Sequence, residues 1–314
     1  MSDQIDDSFD NLFDNSTGFP DAIAHERLDK LVGLENQKNR LSKIISILVN
    51  QEGLNAWLMK YHPEGANVLT NILNRPPLVI LAGDVGSGKT ELAETIGDRV
   101  ARQENINITL LPLSLTSRGK GRVGEMTQLI SSAFKQTFEI ASKYKISNGK
   151  SRGSVILLID EADALAQSRE SAQMHHEDRA GVNTLIRGID KLANARLPVA
   201  VIMCTNRINS LDPAIKRRAA DVLIFHRPND DERLEVLKQP LTAFGFNSSQ
   251  INQIIKLTGP RNGREYGFTF SDLTQRLLPA LVLDAYPEGP VNPKHAIALI
   301  QDLVPTSPFT EENQ

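Results

Sequence analysis

The chain has 314 residues, of which 40% are hydrophobic and 23% are charged, and its formal net charge is −3. This balance is typical of a soluble globular protein and argues against a basic surface built for nucleic acid. No apolar run approaches the length of a membrane span, and the single cysteine excludes an intramolecular disulfide and a cysteine-based zinc cluster. We therefore expect a cytoplasmic protein with one large and one smaller domain.

The N-terminal segment is acidic. Residues 1–26 contain seven carboxylates and no Lys or Arg, unlike the positively charged start of a signal peptide. We expect residues 1–28 to be a mostly disordered tail. Phe9, Leu12 and Phe13 have helical spacing, so a short docking segment is the alternative to a solvated tail.

Continuous apolar runs, separated by helical patterns, follow the tail. The runs are Leu78–Leu81, Ile108–Leu113, Val155–Ile159, Val199–Met203 and Val222–Phe225. Such runs without polar alternation are typical of strands that are buried on both faces, so they predict a parallel five-stranded sheet in an α/β/α arrangement. After Arg227-Pro228 only helical patterns remain. We predict a large α/β domain over 29–227, a small all-helical domain over 228–308 and a tail over 309–314.

A phosphate-binding loop follows the first apolar run. Gly83-Asp84-Val85-Gly86-Ser87-Gly88-Lys89-Thr90 fits the pattern G-x-x-x-x-G-K-[ST], between a strand and a helical pattern. Glycines let backbone N–H groups point at phosphate oxygens, and the helix N-terminus adds positive charge. Lys89 should reach the β- and γ-phosphates of ATP, and the Thr90 hydroxyl should ligate Mg²⁺. A chance glycine-rich turn would lack the flanking strand and helix.

Two carboxylates end the third apolar run. Asp160 should hold Mg²⁺, largely through water, and Glu161 should activate the attacking water as general base. Asn206, at the end of the fourth run, should orient that water. The alternatives are a solvated acidic turn and an ordinary turn asparagine, which the phosphate loop disfavours.

A basic turn follows at Asp212–Arg218. Arginine suits the negative charge that spreads over a transferring phosphoryl group. Nothing in a single chain indicates that such an arginine reaches a neighbouring subunit, and a solvated basic turn is the alternative.

Taken in order, these motifs resemble those of AAA+ ATPases. The resemblance rests on the phosphate loop, the segment Asp160–Arg169, Asn206, the segment Leu211–Arg218 and a lid entry at Pro228–Leu237. It covers roughly residues 29–304. It implies an AAA+ P-loop NTPase fold with a helical lid, and ATP hydrolysis with Mg²⁺.

Within AAA+, the chain is most similar to the HORMA-remodelling ATPases of the pachytene-checkpoint type. Val182–Leu192 resembles their helix after the acidic strand, and Arg218-Ala219-Ala220-Asp221 resembles their arginine-finger turn, which favours Arg218 over Arg217. The resemblance implies a homohexamer that pulls open a HORMA-domain protein. In bacteria it implies the disassembly of a complex between that protein and a nucleotidyltransferase, which keeps an anti-phage signalling system silent.

Three departures from the family pattern affect the expected site. Only about 28 residues precede the core, where eukaryotic members have a recognition domain. Arg122 and Val123 stand where an aromatic pore-loop residue is usual, and they are our expected substrate-gripping residues, with an ordinary flexible loop as the alternative. Leu273 stands where a second-sensor arginine is usual, and Arg276 is its expected substitute at the nucleotide.

Two functions of other classes compete with this interpretation. A clamp loader or helicase loader would need a basic stripe or a dedicated DNA-binding domain. The net charge of −3 and the absence of an added helix-turn-helix pattern argue against this alternative. A switch that binds nucleotide without hydrolysis would not need Glu161.

Overall fold

The computed structural model describes residues 12–65, 75–115, 125–146, 151–165 and 176–308. The chain divides into two compact units. The first comprises Met1–Asp29, Asn36–Ala82 and Thr90–Ile224, and the second comprises Lys30–Glu35, Gly83–Lys89 and Phe225–Gln314. The predicted domain boundaries, 29–227 for the α/β domain and 228–308 for the helical domain, stay a prediction.

A mostly parallel sheet forms the centre of the α/β fold. Its strands are β1 (Thr17–Phe19), β2 (Leu78–Gly83), β3 (Asn107–Ser114), β4 (Gly153–Asp160), β5 (Val199–Thr205) and β6 (Ala219–Phe225). They lie in the order β1-β3-β4-β5-β2-β6. The neighbours from β3 to β2 pair in parallel, as the apolar runs predict. The prediction of five strands was one short, because β1 pairs antiparallel with β3.

Helices cover both faces of this sheet. They are α1 (Ala22–Asp29), α2 (Glu35–Val49), α3 (Gln51–Tyr61), α4 (Lys89–Glu104), α5 (Glu125–Tyr144), α6 (His176–Ala195) and α7 (Pro213–Lys216), with 3₁₀ turns at Pro63–Gly65 and Ala162–Leu165. Successive β4 side chains point to opposite faces. Val155, Leu157 and Ile159 join a core with α5 and α6, while Ile156 faces Gly97 of α4. The predicted α/β/α arrangement is therefore confirmed.

Residues 12–28, the described part of the predicted tail, are folded, so the prediction of a disordered tail is wrong for these residues. Phe13 is buried in the core with α5 and α6, which agrees with the docking alternative; Phe9 lies outside the described residues. The Phe19 ring lies directly on the α4 backbone, where any side chain at Gly97 would overlap it. Removing the apolar surface of these two rings from water stabilises the folded segment, although its composition is mostly polar.

Hydrogen bonds and ion pairs also hold residues 21–27 against α4. Asp98 is fully buried and accepts hydrogen bonds from the Asp21 backbone N–H at 2.8 Å and Arg102 Nε at 2.8 Å. The His25 ring lies 3.1 Å from the same carboxylate. Arg27 donates two hydrogen bonds to Glu91, at 2.7 and 2.8 Å. The strand β1 and helix α1 are therefore fixed along the helix that follows the phosphate loop.

We expect a Phe19→Ala variant to loosen this segment, because Phe19 is only 2% exposed. Removing a buried phenyl ring costs about 3 kcal/mol, so hydrogen exchange at residues 17–19 should accelerate roughly a hundredfold. Ile23→Ala is the matched control, since Ile23 is 69% exposed. Equal exchange rates in the two variants would mean that Phe19 does not hold β1.

The described part of the second unit is mainly helical. Its helices are α8 (Asp230–Ala243), α9 (Ser248–Thr258), a π-helical turn (Asp272–Leu277) that runs directly into α10 (Leu278–Ala285), and α11 (Pro293–Asp302). Asn229 and Asn247 begin α8 and α9 with reciprocal side-chain capping bonds. These helices share a separate apolar core around Leu237, Phe268 and Leu277. Among the described residues, no helix has the length and apolar character needed to cross a membrane.

Candidate functional site

The phosphate loop lies between β2 and α4, as the motif predicts. Gly86 and Gly88 have φ angles of +72° and +92°, a backbone region that favours glycine. Lys89 is 6% exposed, and its Nζ donates to the carbonyl oxygens of Gly83 at 2.8 Å and Asp84 at 2.7 Å. The loop therefore holds a buried positive charge among its own backbone groups.

The first residues of α4 meet the end of β4. Thr90 Oγ1 donates to Asp160 Oδ1 at 3.3 Å. A hydroxyl and a carboxylate are the oxygen ligands that Mg²⁺ prefers, together with waters, so this pair fits the predicted metal site. The Glu161 backbone N–H donates to the same Asp160 oxygen at 2.8 Å.

Glu161 has an uncommon backbone conformation. Its φ is +53°, and such left-handed residues other than glycine cluster at functional sites. Its side chain is exposed, and the Ser114 hydroxyl at the end of β3 lies 3.4 Å from Glu161 Oε2. Ser114 pairs with Asp160 in the β3–β4 register. The carboxylate therefore stands beyond the carboxyl ends of two parallel strands, where open α/β sheets bind ligands.

Asp163 organises the end of β5, a role that sequence reasoning missed. It accepts hydrogen bonds from Thr205 Oγ1 at 2.6 Å, from the Asn206 backbone N–H at 3.0 Å and from the Arg207 backbone N–H at 3.1 Å. Asn206 Nδ2 also donates to it at 3.0 Å. One N–H of the Asn206 amide is thereby used, and the side chain keeps a second N–H donor and its oxygen acceptor. The only sequence signal for this role is the spacing of three residues between Asp160 and Asp163.

Arg218 is bound within its own chain. Its Nε and Nη2 donate to the two carboxylate oxygens of Asp190 on α6, at 2.7 and 2.9 Å, and its Nη1 donates to the Ala214 carbonyl at 3.0 Å. The hydrogen bond with Asp190 raises the pKa of Arg218, so the guanidinium is charged. Arg217, in contrast, is exposed. The pair with Asp190 holds Arg218 in one orientation after α7.

Arg276 lies on the π-helical turn of the second unit and pairs with Asp272 at 2.8 Å. Burial by itself raises the pKa of Asp272. Hydrogen bonds from the Thr269 backbone, Thr306 and Arg276 outweigh that effect, so its pKa lies below the ordinary value and the carboxylate is ionised at neutral pH. The predicted role of Arg276 at a nucleotide stays a prediction. Arg122 and Val123, the predicted pore-loop residues, lie outside the described residues.

Comparison with known proteins places this geometry in a family. The family model of the ATPases associated with various cellular activities (AAA) matches residues 79–227. The chain is 59% identical over 304 residues to CD-NTase-associated protein 6 of Escherichia coli (strain MS 115-1), covering 97% of this chain and 98% of that protein.

Two solved structures extend the likeness to the fold. One is a chain of the HORMA:CdnC:Trip13 complex of E. coli MS115-1, with a TM-score of 0.90 and 58% identity, covering 96% of this chain and 99% of that one. The other is Rhizobiales Trip13, with a TM-score of 0.73 and 52% identity, covering 95% and 100%. The resemblance inferred from the motifs is thereby confirmed. The chain belongs to the CD-NTase-associated protein 6 family of AAA ATPases, and it is an ATP-hydrolysing, nucleotide-binding enzyme.

Proposed function

We propose that the chain uses ATP hydrolysis to pull open a HORMA-domain protein and to take apart its complex with a nucleotidyltransferase. In this role it is a negative regulator of a bacterial anti-phage signalling system in the cytoplasm. One observation carries the proposal: the likeness to a chain of a HORMA:CdnC:Trip13 complex extends over nearly the whole of both chains, at 58% identity.

The residue geometry supports the hydrolytic part of this function. Lys89 exchanges its backbone acceptors in the phosphate loop for phosphate oxygens of ATP. Thr90 and Asp160 would hold Mg²⁺, largely through water, and the ion would neutralise charge on the phosphates. Glu161, exposed at the strand end, accepts a proton from the attacking water, and the Asn206 side chain orients that water.

We propose a homohexamer in which Arg218 of one subunit completes the site of its neighbour. The pair between Arg218 and Asp190 is partly exposed, with side-chain exposures of 28% and 42%. To reach a neighbouring phosphate, Arg218 gives up its two bonds to Asp190 and the one to Ala214, and the phosphate oxygens replace these acceptors. Arg122 and Val123 are the proposed grip on the substrate segment, and Arg276 is the proposed lid contact with the nucleotide.

The first experiment is steady-state ATP hydrolysis by the chain alone, with a candidate HORMA-domain protein, and with DNA. We expect the HORMA protein to raise the rate about fivefold or more, at the lower end of common coupling between two sites. DNA should leave the rate unchanged. Stimulation by DNA alone would keep the ATPase assignment but replace the HORMA protein as substrate.

A further inference from the structure

The phosphate loop touches the start of the π-helical turn within the second unit. The Ser271 backbone N–H donates to the Gly86 carbonyl oxygen at 3.1 Å. The backbone of Gly86 also lies against Thr269, since a side-chain carbon added at Gly86 would be 2.8 Å from Thr269 Oγ1. The position of residues 269–271 therefore helps to fix the curvature of the phosphate loop.

Asp272 fixes these residues in turn. It is 1% exposed and exchanges two hydrogen bonds with Thr269, each at 3.0 Å, in the manner of a helix capping box. Besides the bond from Arg276, two further bonds come from near the end of the described chain: the Thr306 backbone N–H donates to Asp272 at 3.0 Å, and the Thr306 hydroxyl donates at 2.8 Å. We call residues 303–308, which follow α11, the C-terminal strap. We call this chain of contacts, which connects the strap through Asp272 to Gly86, the first route.

A second route starts at the next residue of the strap. The Ser307 hydroxyl lies 3.2 Å from the Tyr266 hydroxyl, and the Tyr266 ring stacks under the Arg227 guanidinium at 5.0 Å. Arg227 then donates to Asp84 Oδ2 of the phosphate loop at 2.7 Å. Adjacent strap residues are therefore connected to two different positions of the phosphate loop, Asp84 and Gly86.

We propose that the C-terminal strap positions the phosphate loop, so that Thr306 and Ser307 are positioning residues for nucleotide binding although neither touches the loop. Asp272 is a buried carboxylate that needs all its donors, because an ionised group without partners in the interior is costly. When Thr306 is lost, Asp272 reorients toward its remaining donors, and Thr269 and Ser271 move away from Gly86. The inference rests on the proposed nucleotide site but not on the HORMA partner.

The test is binding of a fluorescent ATP analogue with Mg²⁺ to the full chain carrying Thr306→Val. One lost hydrogen bond to a charged group predicts affinity weaker by about tenfold. The rate of hydrolysis at saturating ATP should change less than twofold, because the strap touches none of the hydrolytic residues. Thr306→Ser keeps the hydroxyl and should restore the affinity. Tyr266→Phe, which removes only the second route, should weaken binding less.

Thr242→Val is the matched control, since Thr242 Oγ1 donates only to the Lys238 carbonyl within α8 and lies on an exposed face. If Thr306→Val and Thr242→Val bind the analogue equally well, the proposal is wrong. If Thr306→Val does not fold, two other measurements carry the test. Unaltered affinity in Tyr266→Phe would overturn the second route, and hydrogen exchange at Thr306 that nucleotide leaves unchanged would overturn the first. A wild-type chain that binds no ATP analogue would overturn both this inference and the proposed function. Binding also has a reciprocal readout, because nucleotide should then slow hydrogen exchange at residues 303–308.

Discussion

A Glu161→Gln variant should bind ATP as tightly as the unaltered protein and hydrolyse it slower by roughly 10²- to 10⁴-fold. The substitution removes the carboxylate that accepts the proton of the attacking water and leaves the residue's size unchanged. The hydrogen bond from the Glu161 backbone N–H to Asp160 does not involve the Glu161 side chain. Asp160, the proposed metal ligand, should therefore keep its position. Single-turnover hydrolysis and equilibrium nucleotide binding separate the two effects.

Glu26→Gln is the control for this substitution, because Glu26 is an exposed residue of α1. It makes the same chemical change at a residue that belongs to none of the nucleotide-site motifs and should leave the rate unaltered. Normal turnover in Glu161→Gln would remove Glu161 from the role of base. In the presence of ATP, we also expect the slow variant to remain bound to the HORMA protein, because it keeps its nucleotide and does not complete the hydrolytic cycle.

Substitution of Arg218 by Ala should leave ATP affinity intact and lower turnover by about 10³-fold, in the range typical of arginines that act on a neighbour's phosphate. Arg217→Ala is the comparison, because it removes the adjacent, exposed charge. If Arg217→Ala loses turnover and Arg218→Ala does not, the trans-acting residue is Arg217. In that case the ion pair of Arg218 with Asp190 stabilises the turn that follows α7.

Mixing the two inactive proteins distinguishes action in trans from action in cis. In a ring of Glu161→Gln and Arg218→Ala subunits, about one interface in four combines an intact Glu161 with an intact Arg218 from the neighbour. Partial recovery of turnover on mixing is therefore expected. A mixture as inactive as its components would contradict an arginine that crosses between subunits.

Local sequence patterns predicted those parts of the fold that depend on local composition. The five strands were found because each is a continuous apolar run, and the phosphate loop was found because glycine, lysine and threonine are all required at fixed spacing. β1 was missed since it has three residues and only Phe19 of them is buried, by contact with a helix some eighty residues further along the chain. A contact of that sequence separation leaves no periodic signal in the acidic segment.

The sequence predicted which chemical groups belong to the site, but it did not predict which of these groups pair with each other. Asp160 and Glu161 end a strand that can be read from the sequence. The pair of Arg218 with Asp190, in contrast, joins positions that only the packing of α6 against α7 brings together. Likewise, the π-helical turn changes the register of Arg276 relative to an ordinary helix, which a spacing of residues cannot indicate.

The antiparallel pairing of the short strand β1 with β3 covers residues 108–110 of β3 at one edge of the sheet. Without it, the backbone N–H and C=O groups of Ile108–Leu110 on that side would be open to strands of other chains, and β3 is rich in β-branched and aliphatic residues. The packing of Phe19 on α4 therefore also protects the protein against self-association through this edge of the sheet. A chain in which Phe19 no longer holds β1 would be expected to lose solubility before it loses its nucleotide site.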